Sequence, residues 1–213
     1  MTEFFSGKSF AKGSKIEITI PPREAAVFCG NLHYFAANQK SSEKNYILNG
    51  SFEKQEKDEK TILNWRGRKD CFLPIRSAQR AISGKHSAMF ESNGSKNVLM
   101  IQHINPKSVA NFSKIQISMQ IFVDSLQAGF IMPLQLIVVT NENGKRKSNY
   151  PGARIFSKTG DGMASWIRIQ KEYDLRKYKN IQSVELWITG WEYKKTPFKG
   201  KFFIDDVKVT GIQ

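Results

Sequence analysis

Two carboxylates stand side by side in FFIDDVKV, Phe202 to Val209, within a run that otherwise reads as a β-strand. Strand side chains alternate between faces, so Asp205 falls with Phe203, Val207 and Val209, and Asp206 on the other side. A charge on an otherwise apolar face is costly unless it finds a partner. A bound cation, a lysine or a set of loop amides would each serve.

A second chemistry is stacking, because aromatic rings pack against the apolar faces of sugars beside polar groups that meet the hydroxyls. In VELWITGWEY, Trp187, Trp191 and Tyr193 share strand parity, with Leu186 and Ile188 on the opposite, core-facing side. Burial of this strand on both faces is the competing reading. Trp65 and Trp166 are further aromatic candidates. Tyr150 lies in GKRKSNYPGARIF with Lys145, Arg146, Lys147 and Arg154; a second basic loop carries Lys194, Lys195, Lys199 and Lys201. Cations interleaved with aromatics suit an acidic chain, whether a sulfated or uronate polysaccharide or a nucleic acid backbone. Arg146 and Arg154 can grip a carboxylate or sulfate with two parallel hydrogen bonds, as lysine cannot. The bland alternative is a solvated basic surface.

Catalytic patterns are missing. There is no GxSxG, no HExxH and no glycine-rich phosphate cradle. Glycosidases need two carboxylates held across a bond, and the acids here are scattered through lysine-rich stretches. A polysaccharide lyase, which works with few residues, or a fragment of a glycoside hydrolase is the residual enzymatic reading. Two cysteines, Cys29 and Cys71, and three histidines offer no zinc pattern. Cys29 and Cys71 are read either as a disulfide or as two thiols.

The elements that must position these groups are strands. Helical periodicity is nearly absent, and strand-like segments recur between Gly, Asn, Lys and Pro-rich breaks. Strands are expected at KIEITI, REAAVFC, NYILNGSFE, HSAMFES, NVLMIQHI, KIQISMQIFV, MPLQLIVVT, SWIRIQKEYDL, SVELWITGWEY and KFFIDDVKVT, with loops at GKRKSNYPGAR, SKTGDGMAS and KKTPFKG. Their number and spacing predict an all-β fold, an antiparallel two-sheet sandwich or a barrel. A polar stretch, Ala37–Lys44, divides residues 1–44, an N-terminal hairpin and linker, from a main domain over 45–213. The 213 residues carry 40% hydrophobic side chains, enough for a sizeable core. No apolar run is long enough for a membrane helix, and the first residues lack the pattern of a secretory signal. The net charge of +14 favours a polyanionic partner over a neutral one.

Four phrases in order carry a resemblance. NYILNGSFE followed by Trp65, SGKHSAMF, the Trp-bearing strand SWIRIQKEYDL, and the closing GKFFIDDVKV resemble the jelly-roll carbohydrate-binding modules of families four, sixteen and twenty-two, the galactose-binding-like domains. The likeness spans about residues 45–211 and implies core packing for Trp65 and Trp166. It implies a jelly roll with a structural calcium, Ca2+, where the first and last strands meet. Carried over by position, the ligands are Ser51, Glu53, the main-chain carbonyl of Lys85, and Asp205. Calcium takes six to eight oxygens, and Ser51 and Glu53, two apart, would project to the same side of a strand. Separately, IEITIPPREAAVF resembles the last hairpin of the β-sandwich that often ends glycoside hydrolases.

The resemblance implies a non-catalytic module that binds a polysaccharide or oligosaccharide. It would be ancillary to a polysaccharide-degrading enzyme, in contact with a catalytic domain or partner protein, and extracellular or periplasmic. Two rivals stand beside it. One is an interaction domain that binds no sugar; the other is a nucleic-acid binder, favoured by charge and unsupported by any motif.

Overall fold

A computed structural model of the chain describes residues 44–57, 61–126, 130–157, 165–190 and 199–212, the backbone alone at 130–132 and 153–157, and two short strands near the N-terminus. The chain divides into two compact units, Met1–Lys40 and Ser41–Gln213. In the first, β1 (Thr2–Glu3) pairs antiparallel with β2 (Phe28–Cys29). The expected strand KIEITI, the polar stretch 37–43 and the side chain of Cys29 lie outside the described residues.

In the second unit, period-two burial sets the architecture. Along β6 (Lys114–Leu126), Ile115, Ile117, Met119, Ile121 and Val123 all turn into one core. Beside it run β12 (Lys199–Ile212), β4 (Ser87–Asn93), β3 (Ile75–Ser77) and β10 (Ile167–Asp174), in the order β10-β6-β12-β4-β3. The facing sheet has the order β5-β11-β7-β8, from β5 (Leu99–Ile104), β11 (Ile181–Thr189), β7 (Phe130–Glu142) and β8 (Lys145–Asn149). The strand β9 (Ala153–Ser157) also pairs with β7. Every strand pairing described is antiparallel.

Ile117, Ile121, Phe90 and Phe202 from one sheet meet Met100, Leu136, Leu186 and Ile188 from the other. Phe90 and Phe202 stack with ring centroids 4.6 Å apart. One turn of helix, α1 (Pro106–Val109), is capped by the Asn105 side chain, which accepts from Lys107 N at 3.0 Å. The expected all-β sandwich is what the chain forms.

Three local expectations differ. The segment NYILNGSFE is no strand, because Asn49 (φ 52°) and Phe52 (φ 56°) both turn the chain into the left-handed region. It still reaches the last strand: Tyr46 N donates to Val209 O at 2.9 Å, and Val207 N donates to Gly50 O at 2.9 Å. The basic stretch GKRKSNYPGAR is not a loop throughout but supplies β8 and the start of β9. Its exposed charges fit a strand at the margin of a sheet, where they discourage edge pairing.

The third difference concerns FFIDDVKV. Asp205 lies opposite Gln120 on β6, and Lys208 lies opposite Ser118, so three steps along β12 match two along β6. This is a β-bulge, and Asp206 occupies it at φ 52°. Parity therefore flips. Phe202 and Ile204 face the core before the bulge, and Val207 and Val209 face it after. Phe203 packs with Met89 and Phe122 in a small cluster on the sheet's outer face, with Trp166 against it. Asp205 shares that outer face, not the face of Val207 and Val209.

The seam between residues 45–50 and β12 generates a first prediction. A Cβ built on Gly50 would lie 2.1 Å from Val207 O, the neighbour whose N–H the Gly50 carbonyl accepts. Gly50→Ala is expected to push the seam apart and cost about 3 kcal/mol, a fall in Tm of roughly 6–12 °C by thermal unfolding. An unchanged Tm would show that the seam gives way at no cost.

Candidate functional site

On β11, Val184, Leu186 and Ile188 are buried in the core, which leaves Glu185, Trp187 and Thr189 on the outer face. This is the alternation expected for VELWITG. Trp187 is half-buried there, opposite Ile101 on β5 and Gln135 on β7. Its indole Nε1 donates to Glu185 Oε2 at 2.9 Å. The other carboxylate oxygen, Glu185 Oε1, lies 3.7 Å from Arg66 Nη2 and 3.6 Å from His103 Nδ1. Arg68 sits with its guanidinium carbon 5.8 Å from the Trp187 ring centre. Asp70 steadies Arg68 with two hydrogen bonds of 3.0 and 2.8 Å.

These groups come together because the segment after Trp65 runs along the edge of β5. Arg66 and Ile101 exchange two backbone hydrogen bonds, and Leu99 N donates to Phe72 O at 2.9 Å. Trp65 itself goes to the core, as expected, beside Phe52. The result is one aromatic ring oriented by a buried acid, with the Arg68 guanidinium over the ring and the Arg66 guanidinium beside the acid. Such a surface can stack on a sugar and hydrogen-bond its substituents.

Among the described side chains, Arg146 is not gathered around Trp187. Arg146 is exposed on β8 opposite Asn141, six residues along β7 from Gln135, or roughly 20 Å at the strand rise. Tyr150, 62% exposed, follows directly after Asn149 and stands apart from that hairpin end. The backbone of Arg154 lies opposite Leu134, one position from Gln135. Trp191 and Tyr193 lie outside the described residues. Sequence reasoning missed Glu185, Arg66, Arg68 and His103. The phrase WRGRKD was the available signal for the two arginines.

A broad groove of about 1090 Å³ lies elsewhere, where β4, β6 and β12 end, and among its walls are Phe72, Glu91, Asp124 and Lys201. Lys201 reaches Glu91 at 3.5 Å, and Arg80 reaches Asp124 at 2.9 Å outside it. Among the described residues its one aromatic wall is Phe72, 44% exposed.

The carboxylates singled out for a cation sit at two ends of one loop. Asp205 is fully buried; its Oδ2 accepts from Ile82 N at 3.0 Å and Ser83 N at 3.1 Å, and its Oδ1 from Asp206 N at 2.7 Å. Burial pushes this carboxyl above the ordinary range, and the amides of Ser83, Ile82 and Asp206 pull only part of the way back. Glu53 Oε1 accepts from Lys85 N at 2.8 Å and His86 N at 2.9 Å, and Oε2 lies 3.0 Å from His86 Nδ1.

Partial burial raises Glu53, but the hydrogen bonds from His86 and Lys85 outweigh it and leave the group below its usual value. The expected ligand Lys85 thus meets Glu53 through its N–H. Ser51 sits in the turn, not on a strand, so its parity with Glu53 does not apply. Among the described residues no three of His, Cys, Asp and Glu gather as a metal would need. This donor set, turned toward amides, does not fit calcium.

No protein-family model matches the sequence. No curated protein matches it either. Solved structures do. A xylan-binding domain of carbohydrate-binding family 22 is 12% identical, with a TM-score of 0.53 over 80% of this chain and 97% of that one. The tandem of two family 22 modules from Paenibacillus barcinonensis Xyn10C is 14% identical, with a TM-score of 0.51 over 81% of this chain and 46% of that one. At such identities the likeness establishes the fold alone, a two-sheet jelly roll.

Proposed function

We propose that the unit Ser41–Gln213 is a non-catalytic module that binds polysaccharide, ancillary to a polysaccharide-degrading enzyme acting outside the cell. One observation carries this reading: Trp187 lies on the outer face of a rigid sheet, its indole N–H held by the buried Glu185. A ring fixed in this way is oriented at little entropic cost, as stacking on a pyranose requires. The xylan-binding description of the family 22 domain with the same fold supports it.

The ligand proposed is an acidic glycan. Arg66 is 56% exposed on its side chain and makes only a loose 3.7 Å contact with Glu185, so its guanidinium N–H groups can meet a uronate or sulfate. The net charge of +14 adds long-range attraction for the same class. A second reading, an interaction domain that binds no sugar, is favoured by Phe72, Leu73 and Ile75, which are 44%, 42% and 41% exposed in one short run.

Affinity electrophoresis in gels containing neutral xylan, glucuronoxylan or a sulfated glycan tests the reading. Retardation is expected, and Trp187→Ala is expected to weaken it at least ~10-fold, while Phe72→Ala leaves it unchanged. Loss of retardation in Phe72→Ala alone would move the site to the groove. No retardation by any glycan would favour the interaction domain.

Acidity of the ligand is tested separately. Arg66→Ala is expected to weaken binding to glucuronoxylan by about 3- to 10-fold and to leave neutral xylan unaffected. Equal loss on both would mean that Arg66 shapes the Trp187 site without reading charge. Binding to single-stranded DNA with a steep salt slope and indifference to Trp187→Ala would point to nucleic acid instead.

A further inference from the structure

The opening turn of the jelly roll is crossed by one side chain that the sequence does not advertise. Arg76 on β3 pairs opposite Ala88, a core-facing position on β4, and its side chain passes beneath the sheet margin toward residues 52–55. Arg76 Nε donates to the Phe52 carbonyl at 3.1 Å, and Nη2 donates to the Glu53 carbonyl at 3.0 Å. Nη1 donates to Gln55 Oε1, and Nη2 lies 2.8 Å from His86 Nδ1. All three guanidinium nitrogens are thus spread over one turn and one loop.

The carboxylate of Glu53 closes the same ring from the other side. It accepts from the amides of Lys85 and His86, with Oε2 3.0 Å from His86 Nδ1, so two amide hydrogen bonds tie the turn at 52–53 to the loop 84–86. Gly84 makes this approach possible: at φ 65°, a Cβ there would lie 2.3 Å from Glu53 Oε1. A calcium ion asks these same groups for the opposite polarity. It needs carbonyl and carboxylate oxygens converging on one point, whereas here the two carbonyls face a guanidinium and the carboxylates face N–H groups. Asp205, the remaining carboxylate of the expected set, is likewise committed to three amides.

We propose that Arg76 is the cation of this clamp, and that the module closes its opening turn without a divalent metal. A guanidinium suits the task for stated reasons. It is charged at any pH the fold survives, it is planar, and its donors fork toward several acceptors at once. Lysine, a point charge with a flexible stem, cannot reproduce the fork.

The test uses the whole chain, stripped with chelator and then melted with and without millimolar calcium. The expected result is a Tm that calcium moves by less than ~1 °C, since a ligand that binds the folded state must raise it by mass action. Arg76→Met is expected to lower Tm by roughly 5 °C or more, Arg76→Lys to recover less than half of that, and calcium to rescue neither. A calcium-dependent rise of several degrees in the parent protein would overturn the proposal, as would an Arg76→Met variant as stable as the parent. If Arg76→Met does not fold, the parent melted with and without calcium still decides. Glycan retention plays no part in this readout, so the clamp and the glycan site fail independently.

Discussion

The sandwich depends on the seam that joins its opening residues to its last strand. Asn45 is the centre of it. Its Oδ1 accepts from Val209 N at 2.9 Å and from Ile47 N at 3.0 Å, while its Nδ2 donates to Val207 O at 3.2 Å. These partners are 162 residues apart for Asn45 and Val207, and closing a flexible loop of that length costs roughly 4.5 kcal/mol beyond a constant. A pair of amide contacts does not offset that alone. The seam holds because the bulge at Asp206 turns Val207 and Val209 into the core at the place where the opening turn brings Phe52, which is fully buried. Hydrophobic burial supplies the energy, and the Asn45 hydrogen bonds select the register.

The same bulge explains the fate of Asp205. Without the extra residue, Asp205 would share a face with either the main core or a solvated outer surface. With it, Asp205 points to an outer face that the Ile82–His86 loop covers; that loop supplies two amides and the bulge residue Asp206 the third. The question raised by a carboxylate in an apolar strand is therefore answered by backbone N–H groups, one of the three partners that elementary chemistry allows.

How far the chain could be read follows from what each signal depends on. Strands β6 and β11 were legible because one face stays apolar over most of the strand, Ile115 to Val123 and Val184 to Ile188. The alternation in VELWITG placed Trp187 correctly for the same reason. The positions that misled are those where a single residue leaves the strand conformation. Asn49 and Phe52 adopt positive φ inside an apolar phrase, and for Phe52 nothing in its chemistry announces that. Asp206 does so inside β12 and inverts every later parity. Arg76 and Glu185 were illegible for another reason. Each acts through partners that are distant in sequence, such as Phe52 for Arg76 and His103 for Glu185, and no spacing rule connects them.

A buried acid beneath an aromatic ring explains why this face would suit recognition better than a free tryptophan would. Glu185 is only 7% exposed, and its partners Arg66 and His103 stand at 3.7 and 3.6 Å, too far for tight charge pairing. The short bond is the one to the Trp187 indole, at 2.9 Å. Hydrogen bonds to an ionised acceptor are stronger than neutral ones, so the carboxylate spends its best interaction on orienting the ring. On the proposed reading, the loosely held Arg66 would keep N–H groups for a ligand. Rigidity in the ring and reserve in the cation are complementary demands, since stacking rewards preorganisation while an anionic substituent needs a donor not already committed. The sheet meets both by burying the acid between them.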